Sequence, residues 1–341
     1  MEYTGIARFL DALNGEPKDR VPIFPSISGW AAINFSNVPL SETARDPKLI
    51  IDAHIKAMEA VGYDALFACA DALYVPEAFG CKVRFPPTGP IADPLAIEIH
   101  SHEDLSRIRV PDPREDGRFP VIHETIRGLN AYGGGDVPVI GLFEAAFTTT
   151  CRLIEPDLIL RMIYKNRPVL ETLLDKINTF LLDFGRALIE SGANAVFIPD
   201  PTASSTMISP HMFRELALPR LQSLISHLDV PCILHICGDT SPILSSMGET
   251  GADVLSLDQC MGLTESRTTV PDAVLGGNVD PVQSLLMGTR EQVEKDTLNC
   301  LRTAGTSRYI LMSGCGVPPN TPVENLKTMV ETGKAYGLGQ Q

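Results

Sequence analysis

The sequence alternates short apolar runs with longer helical patterns, and this alternation limits the possible folds more than any other feature. Continuous apolar runs of four to eight residues are typical of parallel strands that are buried on both faces. Eight strands alternating with helices predict a (β/α)8 TIM barrel. The eight runs, rich in Val, Ile and Leu, are 21–27, 64–69, 138–143, 195–200, 231–237, 254–259, 274–280 and 309–315.

The barrel is predicted to be a single domain, 1–341, with two additions. An amphipathic helix precedes the first strand, and Gly15 is its expected stop. The stretch at about 70–137, between the second and third strands, is rich in Pro and too long for one helix, so it predicts a cap-like insertion beside the barrel mouth. A doubly wound open sheet is the alternative fold, but no Gly-rich nucleotide-binding fingerprint follows any of the runs.

Composition and charge exclude several classes of protein. Hydrophobic residues make up 44% of the 341 residues, so the chain can bury enough apolar surface to fold. The formal net charge of −14, with no basic stripe, argues against a nucleic-acid partner. No apolar run is long enough to span a bilayer, and the first residues lack the pattern of a signal peptide. We therefore expect a cytoplasmic protein that binds neither nucleic acid nor membrane.

Polar residues stand where the predicted strands end. In a (β/α)8 barrel, side chains at the carboxyl ends of the strands face the active site. Nearly all the residue types found there are ones that bind metals or move protons, which predicts a catalytic site at this edge. The strand-end residues are Asp200, His235, Cys237, Asp258, Asn278, Asp280 and Cys315.

The sequence His235-Ile-Cys237 predicts a metal site. Residues two apart on a strand project to the same side, so both side chains can reach one ion, and Cys315 can approach from the last strand. Two thiolates and one imidazole favour zinc, and three protein ligands leave a fourth position for a substrate. The tripeptide alone is more often a buried histidine beside a buried cysteine than a pair of ligands. Its place at a strand end, with a second cysteine at another strand end, makes the two interpretations about equally favoured.

The segment LHICGDTSPILSSMGETGADVLSLDQ, followed by GGNVDP and SGCGVPPNTPVENLKTMV, resembles the uroporphyrinogen decarboxylase superfamily. It is most similar to the zinc-dependent branch, the methylcobamide:coenzyme M methyltransferases, and the resemblance covers nearly the whole chain. The zinc signature of that branch, His-x-Cys…Cys, falls on His235, Cys237 and Cys315. The resemblance also implies a displaceable fourth zinc ligand at Asp258, where the family has Glu.

The resemblance implies methyl transfer from a methylcorrinoid to a thiol acceptor such as coenzyme M or homocysteine. The chain lacks the corrinoid-binding pattern D-x-H-x-x-G. We therefore expect the methylcorrinoid, such as methylcobalamin, to be a co-substrate that is bound to a separate small corrinoid protein. Three alternatives stay open: a uroporphyrinogen decarboxylase-type lyase, methyl transfer to tetrahydrofolate, and a barrel that binds a corrinoid protein without turnover. The lyase is disfavoured because a substrate with many carboxylates needs cations, and no Arg lies between Arg20 and Arg45.

Four further residues are candidates for the same site. Asp200 is expected either to contact or activate the acceptor, or to cap the loop that follows it. Asn278 and Asp280 are expected to line the cofactor-binding side of the pocket, although Asp-Pro is also a common start of a turn. Glu144 is expected either to line that pocket or to complement the N-terminus of the next helix.

Overall fold

The computed structural model describes residues 3–86, 89–97 and 99–337. Its main sheet contains seven parallel strands in the order β1, β4, β5, β6, β7, β8, β9, and β2 pairs with β3 in a separate antiparallel hairpin. The strands are β1 Leu66–Phe67, β2 Lys82–Arg84, β3 Ile91–Asp93, β4 Val139–Leu142, β5 Ala195–Pro199, β6 Cys232–Ile236, β7 Val254–Leu257, β8 Val274–Val279 and β9 Tyr309–Ser313. Every residue of β4 and of β6 to β9 is buried, as expected for strands covered on both faces.

Helices connect the strands and cover the sheet. The α-helices are α1 Gly5–Asn14, α2 Ser28–Asn34, α3 Leu40–Thr43, α4 Pro47–Val61, α5 Tyr74–Ala78, α6 Phe119–Gly133, α7 Ala146–Leu153, α8 Pro156–Lys165, α9 Arg167–Glu190, α10 Pro210–Met212, α11 Leu218–Ile225, α12 Leu244–Gly248, α13 Leu263–Thr269, α14 Arg290–Ala304 and α15 Val323–Ala335. Short 3-10 helices span Glu103–Arg107 and Pro201–Ala203, and π-helical turns span Phe213–Ala217 and Pro281–Leu286. Gly15 ends α1 at φ +76°, as predicted, because the left-handed conformation costs glycine little. Over the described residues, no helix has the length and apolar character needed to cross a membrane.

Seven of the eight predicted runs contain strands of the main sheet. The first run, 21–27, forms only a single parallel bridge, between Ile23 and Leu311 of β9. On its other side, the Ile23 carbonyl accepts the N–H of Asp64, just before β1, at 2.9 Å. The run is not a regular strand because a proline stands on each side of Ile23–Phe24, and proline has no N–H to donate to a ladder.

The described part of 70–137 contains both an ordinary helix and added structure. The helix α6 packs against α4 and beside β4, so it occupies the place of a connection between parallel strands. The added part contains α5, the β2–β3 hairpin and the 3-10 helix. Arg118, at the start of α6, joins the two parts, because its guanidinium donates to both carboxylate oxygens of the buried Asp71 at 2.6 and 3.0 Å.

Candidate functional site

The carboxyl end of β6 brings a histidine and a cysteine together. His235 is buried and pairs in register with Pro199 of β5 on one side and Ser256 of β7 on the other. Its ring lies against that of Phe197, with the centroids 5.8 Å apart. Cys237 follows two residues later, and its Sγ lies 3.1 Å from His235 Nε2. The two side chains therefore point to the same side, as the sequence spacing predicts.

Cys315 completes this cluster from a distant strand. It follows β9, and two strands, β7 and β8, separate β9 from β6. In a flat sheet, strands so placed would lie roughly 14 Å apart, because neighbours are about 4.8 Å apart. The Sγ atoms of Cys237 and Cys315 are nevertheless 3.5 Å apart, so the sheet is curled and its strand ends converge.

The imidazole of His235 is held in an orientation that suits metal binding. Its Nδ1 lies 3.1 Å from the Ser256 carbonyl oxygen and 3.2 Å from the Ser256 Oγ. A carbonyl can only accept a hydrogen bond, so Nδ1 carries the proton and Nε2 keeps a lone pair that faces the thiols. Such a second partner is what fixes a ligating histidine in proteins. The sequence gives no signal for Ser256, because serine at the middle of a buried strand has no characteristic spacing.

The Cys237 and Cys315 thiols lie within hydrogen-bonding distance of each other. The hydrogen bond from Cys237 lowers the pKa of the Cys315 thiol below its usual range, and His235 adds to the effect. The same hydrogen bond, with burial, raises the pKa of Cys237. A lowered thiol pKa favours metal binding, because the thiolate is the form that ligates a metal.

The donor set fits a zinc ion. One ligand atom from each of His235, Cys237 and Cys315 lies within 4.8 Å of the other two. In a tetrahedral site with Zn–S bonds near 2.3 Å, two sulfurs are about 3.8 Å apart, close to the separation found here. Among the described residues, these three form the one group of this kind, and Asp258 is not part of it.

Asp258 holds the backbone that carries Cys237. It is buried at the end of β7, and its Oδ2 accepts the N–H of Gly238, directly after Cys237, at 2.8 Å. Its Oδ1 accepts the N–H of Cys260 at 3.1 Å. Both carboxylate oxygens therefore bond to main-chain donors beside the cluster. The role of Asp258 as a displaceable zinc ligand stays a prediction.

Replacing Asp258 with alanine is expected to weaken zinc binding by about 10- to 100-fold, the usual cost of losing an outer partner of a metal site. Asp258→Asn should lose less, because its amide oxygen still accepts one of the two N–H groups. Competition with a chromophoric chelator measures the affinity. The matched control is Asp253→Ala at the other end of the same strand, where the carboxylate accepts the N–H of Cys232 at 2.8 Å. Equal zinc affinities in wild type and Asp258→Ala would show that Asp258 does not support the metal site.

Asp200 lies at the end of β5, beside β6. Its backbone N–H donates to the His235 carbonyl at 2.8 Å. The Asp200 Oδ1 accepts the N–H and the hydroxyl of Thr148 at 2.9 and 2.7 Å. Burial raises the pKa of Asp200 to about 7, although the Thr148 hydrogen bonds oppose the shift. The backbone bond places Asp200 at the same edge of the sheet as the metal-ligand cluster, and its catalytic role stays a prediction.

Glu144, Asn278 and Asp280 are engaged with other parts of the chain. Glu144 is buried and forms a bidentate ion pair with Arg152, at 2.9 and 3.1 Å. The Asn278 amide donates to the Asp258 and Met261 carbonyls, which fixes the loop after β7. Asp280 caps the π-helical turn after β8. These contacts are all with other parts of the chain, so the predicted role of the three residues in a cofactor pocket stays a prediction.

Sequence reasoning missed Arg152, which lies in the last turn of α7 and pairs with the candidate residue Glu144. Glu144 lies two residues after the end of β4 and eight positions before Arg152, with most of α7 between them. A basic residue in the last turn of a short helix ordinarily indicates a favourable interaction with the helix dipole, so the sequence pattern alone gave no reason to place it at the site.

A parallel α/β sheet that carries a thiol and imidazole cluster at the carboxyl ends of its strands defines a class of α/β enzymes with a candidate metal centre. Comparison with known proteins is more specific. The sequence model described as Uroporphyrinogen decarboxylase (URO-D) matches residues 4–336. The chain belongs to this family.

Relatives within the family carry two different names. The methylcobamide:CoM methyltransferase MtbA of Methanosarcina mazei is 30% identical, and the alignment covers 98% of this chain and 99% of the relative. A uroporphyrinogen decarboxylase of Geobacter metallireducens is also 30% identical, with 95% and 97% covered. A solved structure described as a methyltransferase from Methanosarcina mazei superposes with a TM-score of 0.91, at 29% identity, and covers 98% of this chain and 99% of that one. The α/β fold with a parallel sheet that the alternating runs predict is confirmed, and the sheet is curled.

Proposed function

We propose that this chain is a methyltransferase that moves a methyl group from a methylcorrinoid to a thiol acceptor such as coenzyme M or homocysteine. The observation that carries the proposal is the convergence of His235, Cys237 and Cys315 at the carboxyl edge of the sheet. The methylcobamide:CoM methyltransferase relatives, which match the chain over nearly its full length, support it. The methylcorrinoid is proposed to arrive on a separate small corrinoid protein.

His235, Cys237 and Cys315 are the proposed zinc ligands. A zinc ion bound there would supply a Lewis acid that keeps the acceptor thiol ionised near neutral pH. The chain itself holds Nε2 of His235 toward the ion through Ser256, and fixes the backbone of Cys237 through Asp258. A methyl group has no proton to remove, so the chain contributes mainly by positioning the two reactants.

We further propose that the sheet closes into an eight-stranded barrel that forms one domain over 1–341. The support is the segment at Ile23, which bonds to Leu311 of β9 on one side and to the residue before β1 on the other. In this arrangement the added part of 70–137, which contains α5, the β2–β3 hairpin and the 3-10 helix, acts as a cap beside the barrel mouth.

The decarboxylase alternative has less support in this chain. A porphyrinogen with many carboxylates needs unpaired cations, and Arg20 is engaged in a buried ion pair with Asp64. Neither decarboxylation nor passive docking of a corrinoid protein requires a cluster of two thiols and an imidazole. Transfer to tetrahydrofolate uses a nitrogen nucleophile, for which a sulfur-rich zinc site is less suited.

The zinc-loaded protein is expected to demethylate methylcobalamin when a thiol acceptor is present. The reaction is followed by the change in cobalamin absorbance and by mass spectrometry of the thioether. Pre-treatment with a strong chelator should stop it, and added zinc should restore it. A protein with bound zinc that methylates neither coenzyme M nor homocysteine would contradict the proposal, and methylation of tetrahydrofolate alone would favour the pterin alternative instead.

A further inference from the structure

The sulfur atoms of Cys237 and Cys315 are in contact although 78 positions separate the two residues in the chain. Their Sγ atoms lie 3.5 Å apart, and this is the one pair of thiols in contact within the described residues. A disulfide bond is about 2.05 Å long, so the sulfurs need to approach by only about 1.5 Å to form one.

Both cysteines stand just past the ends of their strands, where small movements of a side chain leave the sheet unchanged. β6 ends at Ile236 and β9 ends at Ser313. Gly316, directly after Cys315, has open space where a side chain would begin, so this side of the pair has room to move. A rotation of either cysteine about its Cα–Cβ bond moves the sulfur while the strand stays in place.

The pair can be reached from solvent, whereas half of the eight thiols cannot. Cys237 and Cys315 are half-buried at the edge of the sheet. Buried thiols are inert toward oxidants, and the buried ones are Cys69, Cys81, Cys232 and Cys300. Cys151 is half-buried on α7, and Cys260 is exposed on the loop after β7. Cys260 is therefore the competing thiol that an experiment has to distinguish from the pair.

We propose that Cys237 and Cys315 form a reversible disulfide when a peroxide oxidises them, and that the disulfide releases the zinc ion. This inference rests on the zinc ligands of the proposed function. One sulfur is first oxidised to a sulfenic acid, and the other sulfur then displaces its hydroxyl group and forms the S–S bond. The two sulfurs lose two electrons, and hydrogen peroxide takes up these electrons with two protons and leaves as two molecules of water.

The disulfide removes two of the three zinc ligands at once. Only a thiolate ligates zinc strongly, and a disulfide sulfur carries no negative charge. His235 alone then remains of the three ligands, so the ion leaves. A dithiol reductant returns both thiols and with them the metal site. The site can therefore ionise an acceptor thiol only while this pair is reduced.

Peroxide treatment of the zinc-loaded and the zinc-free protein tests the inference. Each sample is alkylated, digested with trypsin and chymotrypsin, and analysed by mass spectrometry without reduction. Cleavage after Leu234 and Leu257 separates Cys237 from Cys232 and from Cys260. We expect a link between the Cys237 and Cys315 peptides, loss of two of the eight thiols, and release of one zinc per chain to a metallochromic indicator. Dithiothreitol should restore both thiols and zinc binding.

Two variants show which sulfurs react. Cys315→Ser should abolish the link, whereas Cys260→Ser is the matched control and should form the link and release zinc as wild type does. The wild-type comparison needs no variant to fold. A link through Cys260 instead, no link in the zinc-free protein, or oxidation that dithiothreitol does not reverse would overturn the inference.

The same samples keep this inference apart from the proposed function. A chain that binds zinc and methylates a thiol but forms no link overturns the inference and leaves the proposed function standing. A chain that takes up no zinc overturns the proposed function, and with it the release of zinc by the disulfide.

Discussion

Replacing His235 and Cys237 together with alanine is expected to remove zinc from the protein and to abolish methyl transfer. The purified wild-type chain should hold about one zinc, as a site with three protein ligands does. Loss of even an outer partner of a metal site costs about 10- to 100-fold in affinity, so the loss of two direct ligands should cost more than 100-fold. Elemental analysis of the two proteins, prepared without chelator, measures the effect.

Cys232→Ala is the matched control for this experiment. Cys232 begins the same strand, β6, whose carboxyl end leads to Cys237, and its buried thiol lies away from the cluster. It should keep its zinc and its activity, because a buried cysteine that binds no metal acts as a small apolar residue. The metal site is assigned wrongly if the double variant retains zinc at the wild-type level, or if wild type takes up none on reconstitution.

The variant Arg20→Ala is expected to lower the free energy of unfolding by about 3–5 kcal/mol, since it leaves a buried carboxylate without its partner. Arg20 and Asp64 are both nearly buried and form a bidentate pair at 2.6 and 2.7 Å. Asp64 Oδ2 also accepts the N–H of Ile23, so the pair fixes the segment that bridges to β9. Arg8 also pairs with Asp64, at 3.4 Å, so part of the charge compensation remains and the loss should fall toward the lower end of this range. Urea denaturation measures the difference.

An exposed ion pair serves as the reference for that measurement. Lys56 and Asp52 lie one turn apart on α4, with side chains 46% and 57% exposed. Lys56→Ala should change the free energy of unfolding by less than about 0.5 kcal/mol, because solvent screens such pairs. If Arg20→Ala costs no more than Lys56→Ala, the pair does not hold the first segment in place.

Most of the sheet could be predicted from the sequence because buried parallel strands leave a strong local signal. Each of β1 and β4 to β9 lies within a predicted run. The first run was harder to predict, because the prolines that flank Ile23 interrupt the ladder without changing the apolar pattern. The sequence did not separate α6 from the rest of 70–137, because the added hairpin precedes this helix in the same connection between β1 and β4.

At the site, the sequence by itself determined the pair His235 and Cys237, since two-residue spacing at a strand end is a local property of the backbone. The sequence also offered Cys315 as a candidate, but only the tertiary structure decided that its Sγ lies 3.5 Å from that of Cys237, because this contact depends on the curl of the sheet over three strand spacings. It also decided that both oxygens of Asp258 bond to main-chain donors and that Asp200 keeps one oxygen without a partner. The bond between Asp258 and Cys260 is local, two residues along one loop. The Gly238 and Thr148 donors come from other segments, and no spacing within one segment encodes such partners.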